Sequence, residues 1–250
     1  MDRKKFIKKS IAGLGSIIAL PSFYACKSNQ PQGFGPGMPP LPPGGMPPPM
    51  MDSEPWDGSG TCPTSPQETA GPFPIKTPAQ LVRENIVVDR KGIPLLINLS
   101  IKNKSDNCNP LADVFVDIWH CDADGNYSEY GDIPMQKKDY TKKHFLRGRQ
   151  TTDSNGQVSF ISIFPGWYQG RAPHIHVEVL DKNEKSLLVS QIAFEENQVN
   201  VIYSTKHYRG PADQKNETDM VFSNSLAGNM ADSLTGNNTD GYVLGKTFIT

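Results

Sequence analysis

Apolar residues recur at every second position in segment after segment of this chain, and that period narrows the fold more than any other feature. In "PLLINLSIKN" Leu95, Ile97, Leu99 and Ile101 fall on one face, the pattern of a strand with one side buried. In "ADVFVDIWHC" Val114, Val116 and Ile118 share a face, with Asp113, Phe115, Asp117 and Trp119 on the other. "GQVSFISIF", "HIHVEVL", "SLLVSQIAF" and "GYVLGKTFIT" read as further strands, rich in β-branched and aromatic residues. The turn-forming stretches "SDNCNP", "DADGN", "DSNG" and "LDKNEK" separate them. Helix is expected only near residues 77–84 and within 195–208. These features specify an all-β domain, an antiparallel β-sandwich with long loops and little helix, and the spacing argues against a propeller or solenoid.

The folded part does not take up all 250 residues. "MDRKKFIKKSIAGLGSIIALPSFYAC" opens with Arg3, Lys4, Lys5, Lys8 and Lys9, followed by an apolar run from Ile11 to Leu20. That run falls short of the ~20 residues of a spanning helix and has the layout of a bacterial export signal, residues 1–25. "RKKFIKK" also resembles a twin-arginine signal with Lys4 in place of the second arginine, and "FYAC" resembles a lipoprotein cleavage site that would leave Cys26 lipidated. Residues 26–57 are dense in Pro and Gly with almost no charge; they cannot bury enough apolar surface to fold and read as an extended tether to a membrane or envelope. One domain is expected over residues 58–250. The formal net charge is −1 at pH 7 with no basic block after the signal, so nucleic acid is not expected as a partner. Membrane contact is expected only through a lipid on Cys26. Beyond it lie Cys62, Cys108 and Cys121. An oxidising compartment allows one disulfide among them, with Cys62 the shared partner if the other two bracket a strand.

Within "FPGWYQGRAPHIHVEVL", His174 and His176 project from one face of a strand while Ile175, Val177 and Val179 project from the other. Such a pair is as readily two hydrogen-bonded structural histidines as two metal ligands. Its surroundings favour a metal. Tyr168 precedes His174 just beyond the Pro165-Gly166 turn, and the loop "HCDADGNYSEYGD" holds Tyr127 and Tyr130. His120, His144 and His207 are scattered, which weakens a zinc reading. Two phenolates with two imidazoles suit a hard, highly charged ion, chiefly ferric iron. A phenol of pKa ~10 stays deprotonated at neutral pH only beside a strong Lewis acid. "DADGNYSEYGDI" begins like a calcium loop with Asp122, Asp124 and Asn126, but has Tyr127 where Gly is required and Ile133 where Glu is required. Trp119 and Trp167 read as packing residues bordering the site, and His120 as either a support for it or a structural histidine.

The block from residue 111 to 194 resembles the intradiol ring-cleavage dioxygenases, the catechol and protocatechuate 3,4-dioxygenase group. The matching pieces are "PQETAGPF", "ADVFVDIWHCDADGNYS", "RGRQTTDSNGQVSFISIFPGWY" and "RAPHIHVEV", in the family's order. "WHCDADG" and the tight "PGWYQGRAPHIH" resemble its exported members rather than the cytoplasmic catabolic ones. The resemblance implies one non-haem Fe(III) per chain, held by Tyr127, Tyr168, His174 and His176, with Tyr127 preferred to Tyr130 because it closes the "DG-x-Y" turn. It implies that Arg171 and Gln191 line the pocket, and that Tyr168 serves as both ligand and base. A catechol and O2 would be the substrates and a cis,cis-muconate-type diacid the product, with no organic cofactor. Substrate preference does not carry over, because only five residues separate Tyr168 from His174 where many relatives have a longer, pocket-walling loop. Two other readings compete: a non-catalytic β-sandwich binding module, and a zinc or copper protein built on the H-x-H pair. The full set of four ligand types plus Arg171 argues against the first, and metal analysis separates the second.

Overall fold

The structure is a computed structural model that describes residues 62–250. The export signal at 1–25, the tether at 26–57 and Cys26 lie outside the described residues. The alternating segments form two facing sheets. In one, β1 (Pro94–Asn103) is central; β9 (Gly241–Ile249) lies along one edge, and β5 (Gln157–Ile163) and the short β2 (Asn109–Pro110) lie in succession along the other. β8 (Ser233–Asn237) pairs outside β9. The second sheet runs β4 (Arg147–Thr151), β3 (Phe115–Trp119), β6 (His174–Leu180), β7 (Ser186–Ala193).

The residues expected to face inward do so. Leu95, Ile97, Leu99 and Ile101 of β1 share one buried cluster with Val116 and Ile118 of β3, and with Ile175, Val177 and Val179 of β6. Each such side chain contributes roughly 1.5–3 kcal/mol by leaving water. This layer binds the sheets together, so the opposite face of the second sheet is free to carry chemistry.

Two expectations need correction. The pairings among the named strands are antiparallel except that of β9 with β1, which is parallel. β9 enters from its hairpin with β8 after a long excursion from β7, so no tight turn dictates its direction relative to β1. The helix expected near residues 77–84 is only a 3-10 turn, Pro78–Gln80. Extended pairing claims the rest: Arg149 N donates to Leu81 O at 2.8 Å, and Ile161 N donates to Glu84 O at 3.0 Å. Within 195–208 the helix is α1 (Glu196–Tyr203). A one-turn α2 (Leu226–Asn229) precedes β8. Among the described residues no helix is long and apolar enough to cross a membrane.

Cys62 is bonded to Cys108, with Cα atoms 6.3 Å apart, and Cys121 is a buried free thiol. The bridge closes a loop with a sequence separation of 46. Replacing both cysteines with serine is expected to lower stability by about 4 kcal/mol on loop entropy, measurable as a reduced denaturant midpoint with an intact far-UV spectrum in water.

Candidate active site

The site lies on the outer face of the second sheet, where β6 starts. Pairing sets His176 opposite Trp119 of β3 and Gln191 of β7. Side chains opposite each other share a face, so the Trp119 and His176 rings stack at 4.8 Å with planes 2° apart. Tyr127 arrives on the loop after β3. There Asp122 Oδ1 accepts the amide hydrogens of Asp124 and Asn126 at 3.1 and 2.9 Å. Its Oδ2 meets Arg90 Nη1 at 3.2 Å. The carboxylate that mimics a calcium ligand in the sequence is holding its own turn instead. Gly125 permits that turn with φ at 84°. Gln136 locks the next residues, accepting from Tyr127 N at 2.6 Å and donating to the carbonyls of Tyr127 and Tyr130 at 2.8 and 2.9 Å. Tyr168 comes from the loop that joins β5 to β6.

The four expected ligand side chains meet. His174 Nε2 lies 3.2 Å from His176 Nε2 and 3.5 Å from the Tyr127 hydroxyl. Arg171 Nη1 is 3.5 Å from both His174 Nε2 and the Tyr168 hydroxyl. All four are buried, Tyr127 and His176 completely. His174 Nδ1 is 2.6 Å from Ala172 O. A carbonyl only accepts, so Nδ1 carries the hydrogen and Nε2 presents a lone pair to the cluster. Burial holds both imidazoles well below their ordinary pKa, and Arg171 adds to the effect. Burial pushes the Tyr127 phenol well above its ordinary value, and the Tyr168 phenol upward with Arg171 opposing. Neutral imidazoles suit metal ligation; the phenols ionise here only beside a strong cation. The donor set therefore fits a hard trivalent ion. Among the described residues no cluster of three or more His, Cys, Asp or Glu side chains is arranged for a metal, so the two phenols would have to complete any metal site built on the two imidazoles.

Arg171 reaches the cluster, and Gln191, paired opposite His176, holds Arg171. Arg171 Nη2 donates to Gln191 Oε1 at 2.7 Å, and Gln191 Nε2 donates to Thr69 O at 2.8 Å. The other residues weighed in the sequence lie apart from the ligand tips. The Tyr130 hydroxyl donates to Pro74 O at 2.9 Å. His120 is held by Cys121 O at 2.8 Å and Ser162 Oγ at 2.7 Å, and burial lowers its pKa to about 4; it is structural. Trp167 donates to Gly210 O at 3.0 Å beneath the Arg209 guanidinium.

Sequence reasoning did not single out the strap that closes the site, although its residues lie in and just after "PQETAGPF". From Glu68 N, bonded to Val189 O at 2.7 Å, the chain crosses His176 at Gly71 and stacks Phe73 on Tyr127 at 4.4 Å. Fully buried Arg147 donates to Phe73 O at 2.9 Å, and Glu129 accepts from Lys76 N and the Thr77 hydroxyl at 2.9 and 2.8 Å. Gly71 has φ at 66°, and a Cβ there would sit 3.0 Å from His176 Cε1. Gly71→Ala is expected to cost about 1–2 kcal/mol in backbone strain and also to weaken metal retention. Gly170→Ala, at φ 82° with open space around it, should show the strain alone. Thermal melts with metal titrations of the two variants separate these effects.

Two imidazoles, two phenols and a guanidinium are thus gathered at one buried place on the outer face of a β-sandwich. The chain matches the dioxygenase family model over residues 76–208. It is 34% identical to an intradiol ring-cleavage dioxygenase from Tetranychus urticae, covering 75% of this chain and 94% of that one with a TM-score of 0.67. The chain belongs to the intradiol ring-cleavage dioxygenase family. Two more distant likenesses show the fold alone. The dioxygenase domain of a carbohydrate-binding fusion protein from Streptomyces sp. SirexAA-E is 24% identical, over 75% of this chain and 98% of that one, TM-score 0.54. The 3-chlorocatechol 1,2-dioxygenase of Rhodococcus opacus 1CP is 22% identical, over 74% and 72%, TM-score 0.51. No curated protein matches the chain.

Proposed function

We propose that this protein is a non-haem ferric enzyme that opens catechols between the two hydroxylated carbons with O2, giving cis,cis-muconate-type diacids. The observation that carries the reading is the convergence of Tyr127, Tyr168, His174 and His176 at one buried point beside Arg171. These four would hold the ion. Bound ferric iron supplies the Lewis acidity that keeps both catechol oxygens anionic and the ring reactive toward O2.

The protein's own groups supply the rest. Tyr127 is sealed between Phe73 and the buried Arg147 and serves as a fixed ligand. Tyr168 is the less deeply buried phenol and lies next to Arg171, so its Oη is the atom to take a substrate proton. Arg171 is fixed from two sides before substrate arrives, and its Nη1 faces the place where negative charge grows, stabilising it without reorganisation. The strap from Gly71 to Phe73 helps exclude water. Both atoms of O2 end in the product, and no external reductant is consumed.

Export to the cell envelope, with a lipid on Cys26 as the anchor, is part of the proposal. The Cys62–Cys108 disulfide supports an oxidising compartment.

The test is oxygen uptake by iron-loaded protein with catechol, protocatechuate and hydroxyquinol, with the products identified by mass. One O2 consumed per diol and a ring-opened diacid are expected. No uptake with any of these diols, or cleavage outside the diol bond, would refute the reading.

A further inference from the structure

Asp219 was not marked by any motif, and it lies beyond the stretch matched by the family model. It is nonetheless completely buried. Its carboxylate accepts from Arg171 Nε with both oxygens, at 3.0 and 2.8 Å. Oδ2 also accepts from Ala172 N at 2.7 Å, and Oδ1 from Val221 N at 2.9 Å. One side chain thus grips both the guanidinium and the backbone between Tyr168 and His174.

The segment carrying Asp219 is itself anchored. Asn216 Nδ2 donates to Phe194 O at 2.7 Å, and Asn216 N donates to Glu196 Oε1 at 3.1 Å at the start of α1. Phe222, fully buried, lies 5.5 Å from the Arg171 guanidinium carbon and 6.4 Å from the His174 ring. Asn229 Nδ2 donates to the Gln191 carbonyl at 3.0 Å. Of the guanidinium's three nitrogens, Nε is therefore fixed by Asp219 and Nη2 by Gln191, and only Nη1 turns toward the ligand cluster.

We infer that Asp219 is a positioning residue for the ring-cleavage reaction: it aims Arg171 Nη1 at the reacting oxygen and carbon atoms of the substrate. This rests on the proposed function of the same site. A planar fork held on two edges has one free direction, and an error of 1 Å in a positioned group costs on the order of 10²-fold in rate. Asp219 is completely buried and holds the Arg171 guanidinium and the Ala172 amide, so it acts on the reaction through the groups it positions, Arg171 first among them.

Asp219→Asn keeps the size and one acceptor oxygen, but turns an NH2 toward a backbone N–H or the guanidinium. It is expected to lower kcat about 10²-fold, with KM changed far less and the visible absorption of the iron-loaded resting protein retained. Arg171→Met should lose as much or more, and the double variant should be no slower than Arg171→Met, because groups acting as one unit are not additive. In metal-free protein the Arg171 Nε–H resonance, identified by its loss in Arg171→Lys, should exchange slowly with water at pH 7 and become fast in Asp219→Asn. Wild-type kcat in Asp219→Asn, losses that multiply in the double variant, or an unchanged Nε–H exchange rate each overturn the inference. Failure of the wild-type protein to cleave any catechol would instead sink the proposed function, and the exchange measurement would still decide whether Asp219 holds Arg171.

Discussion

Tyr127→Phe is expected to cost the protein its metal while leaving its fold almost unchanged. The substitution removes only a hydroxyl. The ring keeps its stack on Phe73 at 4.4 Å and its edge contact with Tyr168 at 5.8 Å. Among the described residues the hydroxyl's one hydrogen-bonding neighbour is His174 Nε2 at 3.5 Å, so metal-free stability should move by less than about 1 kcal/mol. Metal affinity should fall by more than about 100-fold, the upper end of what losing a mere supporting partner costs. Ring cleavage should fall with it. Equilibrium iron titration beside a thermal melt reads both quantities. Iron retained at wild-type affinity would remove Tyr127 from the ligand set.

The second large effect is expected at Arg171. Losing one preorganised donor to developing negative charge costs about 10²–10³ in kcat, and Arg171→Met should fall in that range. It should also be less stable by about 3–5 kcal/mol, because the fully buried Asp219 carboxylate would lose its cation. Arg171→Lys should not rescue turnover. An ammonium is a point charge on a flexible stem and cannot satisfy Asp219 and Gln191 while presenting a third edge to the site. Steady-state kinetics and denaturant unfolding of the two variants check this; a lysine variant at wild-type kcat would reduce Arg171 to simple charge balance.

The sequence made the strands legible where one face is apolar and the other polar. β1, β5 and β6 follow that rule, and their inward residues form the common cluster. β4 breaks it. "RGRQT" has no apolar side chain, yet Arg147 and Arg149 are buried. Arg149 is neutralised by Asp117 of the neighbouring β3 at 2.6 and 2.8 Å, and Arg147 is spent on Ser128 and Phe73. Buried ion pairs across strands leave no hydrophobic period to read. The expected helix near residues 77–84 failed for a related reason: the extended pairing with Arg149 and Ile161 that displaced it joins residues far apart in sequence.

The site divides along the same line. His174 and His176 share a face by strand alternation, and Gln191 follows from the register of β7 against β6. Tyr127 and Tyr168 sit on turns with local chemistry of their own. Asp219 has no such signal. Its partner Arg171 is 48 residues away, and nothing in "NETDMV" distinguishes a buried carboxylate from a solvated one. Gly71 and Phe73 sat inside a recognisable stretch, but their contacts with His176 and Tyr127 exist only once the strap is folded across the sheet.

The most direct measurement of the central claim is the visible absorption spectrum of protein with iron confirmed at full occupancy, before and after adding catechol without oxygen. Two tyrosinates on ferric iron predict a red-brown charge-transfer band that shifts when catechol binds. A colourless protein at full iron occupancy would contradict the two-tyrosinate site.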